Sequence, residues 1–150
     1  MKEKALTPLS HGAPHHCFGC GEANRSGLRL KFFVDGEQVV CHARLAPRFE
    51  GPPGHAHGGV IATLLDEAMS KANRLHEVVA MTRHMEIEYL RPVPLRQQLT
   101  LTGRRVSHDG RKNHCEAEIR DDSGHLLARG KALFIAVDRS ILPRSGKAGA

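Results

Sequence analysis

The sequence predicts an α+β domain in which a single apolar helix packs against an antiparallel sheet. Three observations lead there. One segment, residues 59–75, carries apolar residues at helical spacing. Nearly everything after it, and much before it, alternates with period two. A stretch rich in proline and glycine, Phe49 to Gly59, separates the early alternating segments from the helix and excludes regular structure within it.

Taken in order, residues 27–35 read as a strand that ends at the turn Asp35-Gly36. The next segment places Val39, Cys41, Ala43 and Leu45 on one face and Val40, His42 and Arg44 on the other. Asp-Gly between two such runs predicts a hairpin. The helix stripe is Ile61, Leu64, Leu65, Ala68, Ala72 and Leu75. In residues 80–90 the period returns to two: Met81, Arg83, Met85, Ile87 and Tyr89 alternate with Thr82, His84, Glu86 and Glu88, until Pro92 and Pro94 end the strand. Further strands are expected at 97–107, 112–121 and 125–137, divided by turns at Asp109-Gly110 and Ser123-Gly124. The expected limits are a lead-in over 1–16, one domain over 17–137 and a polar, glycine-rich tail over 138–150.

The 150 residues suit one domain, with 40% apolar and 25% charged residues. No apolar run is long enough to span a bilayer, and Met1 to Leu6 lacks the apolar core of a signal segment, so a cytoplasmic protein without membrane contact is expected. The net charge of +6 favours an anionic partner. Aromatic residues make up 4% of the chain and Trp is absent, which argues against stacking platforms for nucleic acid. A small molecule bearing several phosphates fits this surface better.

The candidate site lies at the start of the helix. Gly58 and Gly59 stand where backbone amides have no acceptor within the helix and where its dipole adds positive potential. Such a position can hold a developing oxyanion. Asp66 comes seven residues after Gly59, about 20° from it around the helix axis, at the border of the apolar stripe. A carboxylate there bears a desolvation cost and is the candidate catalyst. Glu67 precedes Lys71 by four residues, the favourable orientation of a solvated pair, and is expected on the surface.

Two blocks carry a resemblance. Phe49-Glu50-Gly51-Pro52-Pro53-Gly54-His55-Ala56-His57-Gly58-Gly59-Val60-Ile61-Ala62-Thr63-Leu64-Leu65-Asp66-Glu67-Ala68-Met69 and Met81-Thr82-Arg83-His84-Met85-Glu86-Ile87-Glu88-Tyr89-Leu90-Arg91-Pro92-Val93-Pro94-Leu95 resemble hotdog-fold acyl-CoA thioesterases of the phenylacetate-pathway type. The branch most alike is that of the mammalian mitochondrial long-chain acyl-CoA thioesterases. Cys17-Phe18-Gly19-Cys20-Gly21, through Asn24 to Gly27-Leu28, is similar to the start of bacterial relatives, and the likeness covers residues 17–137.

The resemblance implies a hotdog fold: one long helix wrapped by a six-stranded antiparallel sheet, assembled as a dimer or a dimer of dimers with active sites at the subunit interface. It implies hydrolysis of an acyl-CoA thioester, with Asp66 as general base or nucleophile. It further implies that the amide of Gly58 or Gly59 polarises the carbonyl, that His57 shapes the loop or contacts substrate, and that Thr82 orients the attacking water. Asp66 and Thr82 are then expected from one subunit and Gly58 from the other. His84 and Tyr89 match positions near the pantetheine arm, and Arg111 and Lys112 positions near the nucleotide phosphates. Met69, Met81 and Met85 are the candidate lining of an acyl pocket. Relatives often carry Asn or Gln where this chain has Glu50, whose charge would raise the pKa of Asp66 if it entered the site. No cofactor is expected beyond the coenzyme A of the substrate.

Cys17 and Cys20 have zinc-ligand spacing, with His11, His15 and His16 nearby, but Cys41 and Cys115 are lone strand residues and no second pair completes four ligands. Buried thiols packing the lead-in are therefore expected, and no metal. Two other readings stand beside the thioesterase: a non-catalytic hotdog module that binds acyl-CoA, and a small basic zinc module for nucleic acid resting on charge and the cysteine pair.

Overall fold

The computed structural model describes residues 6–9 and 15–142. The chain runs β1 (Thr7–Pro8), β2 (Phe33–Asp35), β3 (Gln38–Ala43), α1 (Gly58–Leu75), β4 (Ala80–Tyr89), β5 (Leu99–Asp109), β6 (Lys112–Asp121) and β7 (Leu126–Ala136), with short 3-10 turns at Pro47–Phe49 and Arg139–Ile141. The strands form one sheet in the order β1-β2-β3-β5-β6-β7-β4, and every pairing is antiparallel. The expected α+β architecture is present, with seven strands where six were expected. The addition is β1, whose Thr7 and Pro8 pair with Val34 and Phe33. The strand expected over 27–35 is regular only from Phe33; upstream, the amides of Leu28 and Leu30 donate to the carbonyls of Phe18 and Gly19 instead.

The helix lies across one face of the sheet because its stripe is apolar and the sheet beneath it is cut away. Ile61, Leu64, Leu65, Ala68, Met69 and Ala72 are all buried. Under them the register aligns Val39, Gly103, Ala117, Gly130 and Ile87 in one row across five strands. Small residues at the middle three places make a groove for the helix. A β-carbon on Gly103 would overlap the carbonyl of Ala68, so glycine is required by contact, not by backbone angle.

His57 caps the helix at its start. At its end, Val78 N–H donates to Asn73 O and Glu77 N–H to Arg74 O, while Glu77 takes a φ of 60°: a Schellman motif with glutamate in the usual glycine place. Among the described residues no helix is long and apolar enough to cross a membrane.

Candidate active site

The loop before α1 is held by backbone bonds. His57 N–H donates to Phe49 O (2.9 Å) and Ala56 N–H to Val93 O (2.8 Å), which ties the helix start to the chain beyond β4. Glu50 Oε1 accepts from Gly54 N–H (2.7 Å) and closes the loop on itself. Glu50 therefore serves the turn, and the neighbouring charge that raises the pKa of Asp66 is Glu67.

Gly58 and Gly59 are not equivalent. The amide of Gly59 donates to His57 Nδ1 (2.9 Å), so His57 is a cap and its ring proton sits on Nε2. The amide of Gly58 has no acceptor among the described residues. Gly58 also lines a cavity of about 410 Å³ together with Pro52, Ile61, Tyr89, Leu90 and Val93. The Tyr89 hydroxyl donates to Gly58 O (3.1 Å), bridging the end of β4 to the helix start.

Two turns along α1, Asp66 Oδ1 accepts from Thr82 Oγ1 at 2.6 Å. Asp66 is half-buried, and burial pushes its pKa above the usual 3.8; the Thr82 hydrogen bond opposes this and Glu67 adds to it. The contact depends on a bulge. The pairing of β4 with β7 shifts register between Thr82 and His84, leaving Arg83 unpaired. Strict alternation would put Thr82 on the face of His84 and Glu86. The bulge instead turns Thr82 toward the helix with Met85, Ile87 and Tyr89. His84 is left on the opposite face, where its ring meets Glu86 at 3.4 Å and lines a separate cavity with Val106, His114 and Lys131. Within one chain it does not join Asp66 or Gly58.

Arg111 and Lys112 stand at the β5–β6 turn, at the end of the sheet where β4 begins. Arg111 Nε donates to Ala136 O (3.1 Å), and the register aligns Lys112, Ile135 and Met81, so Lys112 lies two strands, about 10 Å, from the strand that carries Thr82. Of the three methionines expected to line an acyl pocket, Met69 is fully buried, Met85 packs against the core and Met81 is exposed. Glu67 departs most from expectation. Its side chain is 12% exposed, packed under the loop of residues 15–30 instead of facing solvent.

The thioesterase superfamily model matches residues 53–128, about half of the chain. The chain belongs to this superfamily. Among curated relatives, acyl-coenzyme A thioesterase THEM4 of Xenopus laevis is 32% identical over 99 residues, covering 65% of this chain and 45% of the relative. THEM4 of Bos taurus is 30% identical over 117 residues, covering 75% and 48%. The chain thus spans about half the length of the curated relatives it matches. A solved thioesterase superfamily protein superposes with a TM-score of 0.76 at 35% identity, over 80% of this chain and 60% of that one. The Escherichia coli PaaI protein from the phenylacetic acid degradation operon shares the fold (TM-score 0.69, 19% identity, 74% and 81% covered). The resemblance drawn from the two sequence blocks is borne out at the level of superfamily, fold and related branch.

One expectation is overturned. A cytoplasmic location was expected, yet the curated proteins similar to this chain include an uncharacterized mitochondrial membrane protein, FMP10 of Saccharomyces cerevisiae, 28% identical over 111 residues and covering 71% of this chain and 46% of that protein. That finding conflicts with the cytoplasmic assignment, which is withdrawn.

Proposed function

We propose that this chain hydrolyses the thioester of an acyl-coenzyme A, with Asp66 as the reacting carboxylate. The observation that carries the reading is the 2.6 Å bond from Thr82 to Asp66 on a half-buried stretch of helix, in a chain of thioesterase ancestry. A surface acid kept for solubility needs no such partner. Asp66 takes a proton from water as the water oxygen bonds to the thioester carbon, or its own oxygen bonds there and forms an anhydride that water then opens. In either route the carbonyl oxygen becomes an oxyanion, the carbon–sulfur bond breaks and coenzyme A leaves as a thiolate that takes up a proton. Thr82 orients the carboxylate and the attacking oxygen.

The oxyanion donor is the amide of Gly58, since His57 already occupies that of Gly59. Gly58 lies eight residues before Asp66 on the same helix, about 12 Å along its axis. That separation is too great for one carbonyl group to meet both, so the site is composite: Asp66 and Thr82 from one copy, Gly58 from a second. β4 suits such a pairing. It is the sheet edge, ten residues long, with Met81 and Tyr89 exposed along it. Tyr89 flanks the pantetheine arm at the cavity beside Gly58, and Arg111 and Lys112 meet the nucleotide phosphates.

Release of free thiol from a panel of acyl-CoAs of graded chain length tests the activity; no release from any member sinks it and leaves an acyl-CoA-binding module. Light scattering on the eluting protein tests the composite site, and a monomer at assay concentration excludes it.

Thr82→Val is expected to lower kcat/KM about tenfold, the worth of one hydrogen bond to a charged group. Because the Thr82 hydroxyl lowers the Asp66 pKa, its removal moves the acid limb of the pH–rate profile to higher pH. A profile that keeps its shape while only the plateau falls would assign Thr82 a packing role.

A further inference from the structure

On the helix face that turns away from Thr82, four side chains remain unexplained by thioester chemistry. The sulfurs of Cys17 and Cys20 and a carboxylate oxygen of Glu67 all lie within 4.8 Å of one another. Cys17 Sγ is 3.5 Å from Glu67 Oε1. Glu67 Oε2 is buried and accepts no hydrogen bond, with Lys71 Nζ 3.6 Å away. Lys71, itself buried, also lies close to Cys20.

The loop is shaped to this end. Gly21 N–H donates to Cys17 O (2.8 Å), folding Cys17 to Cys20 into a tight turn. A β-carbon on Gly19 would overlap Glu67, so the turn sits directly on that side chain.

We propose that Cys17, Cys20 and Glu67 form a binding site for a thiophilic divalent cation, of which zinc is the fitting example. Zinc–sulfur bonds of about 2.3 Å and zinc–oxygen bonds of about 2.0 Å at tetrahedral angles set a sulfur–oxygen edge of roughly 3.5 Å and a sulfur–sulfur edge of roughly 3.8 Å. The Cys17–Glu67 separation already has that length, and the cysteine sulfurs need only small side-chain rotations to reach theirs.

Charge is balanced as well. Binding releases one proton from each thiol; a divalent ion with two thiolates and one carboxylate carries a net charge of −1, which the ammonium of Lys71 cancels. Three protein ligands leave the fourth position to water. Glu67 is the neighbour of Asp66 on α1, so the ion would fasten the N-terminal loop to the helix that carries the reacting acid. This inference stands apart from the hydrolysis reading, because its ligands and its readout are different.

The test is anaerobic titration of the metal-depleted 150-residue chain with cobalt(II). A thiolate-to-cobalt charge-transfer band saturating at one equivalent is expected, absent in Cys20→Ser and unchanged in Cys115→Ser. Glu67→Gln should keep the band and weaken the affinity by about tenfold or more. No band in the wild type, or a band that survives Cys20→Ser, overturns the site. Should Cys20→Ser fail to fold, modification of the wild type by a thiol reagent decides instead. Zinc is expected to slow labelling of half-exposed Cys17, and equal labelling with and without zinc also overturns the site.

Discussion

Asp66→Asn is expected to lower thiol release by between about 10²- and 10⁴-fold, the range associated with removing a positioned acid–base group, while leaving the protein more stable than wild type at neutral pH. The two effects have one cause. Burial raises the pKa of Asp66 in the folded chain, so the folded state holds its proton more tightly than the unfolded state. An acid of this kind supports the fold while protonated. It progressively loses that support as pH rises from its unfolded value, near 3.8, through its raised folded value. Above that window the folded protein carries an unfavourable charge that Asn does not. The Thr82 hydroxyl can still donate to the amide oxygen, so no donor is orphaned. Thermal melts across pH check this: the advantage of the variant should shrink and vanish as the wild-type carboxylate becomes protonated. The acid limb of the wild-type activity profile should lie above the ordinary aspartate range for the same reason. Loss of activity together with a lower melting temperature at neutral pH would instead mark Asp66 as a structural carboxylate.

The distinction between what could and could not be foreseen follows the range of each interaction. The helix stripe and the Asp-Gly turns depend on neighbours a few residues away, and α1 and the long strands stand close to where periodicity puts them. Asp66 was legible as an acid at the border of a buried face. Its partner was not: Thr82 came from the family likeness, and by alternation it belongs on the wrong side of β4. The bulge at Arg83 that corrects this has no marker in the sequence, since no glycine or proline stands there. The same bulge parts Thr82 from His84, which keeps the outer face with Glu86. Glu67 and Lys71 were misjudged for a related reason. Four-residue spacing of opposite charges reads as a solvated pair, and what buries them is a loop without periodicity arriving from some 50 positions upstream. Gly58 and Gly59 were both visible as amide donors, and only the ring of His57, bending back to Gly59, separates their roles.

Gly103→Val is expected to cost about 3 kcal/mol or more, near the upper end for overpacking a tight interior, which for a chain of this size lowers Tm by roughly 10 °C. Nothing about Gly103 in the sequence distinguishes it from a weak point in a strand. In the fold it is where α1 comes closest to the sheet. A β-carbon there meets the carbonyl of Ala68 and then its side chain, and helix backbone cannot be turned aside as a flexible side chain can. The other glycine of the same row, two strands away, offers an internal control. At Gly130 a β-carbon would meet Leu65 Cδ1 and Met69 Cε at 3.5 Å, ordinary contact distance, so Gly130→Ala should be tolerated far better than Gly103→Ala. If instead the helix rides outward on Gly103→Ala without loss of stability, the displacement will separate Asp66 from Thr82, and thiol release will fall although the protein stays folded. Melting temperature and kcat/KM measured on the same two alanine variants distinguish these outcomes. Equal tolerance at both positions on both measures would mean that the small residues do not set the distance between helix and sheet, and hence do not set the 2.6 Å contact on which the proposed chemistry rests.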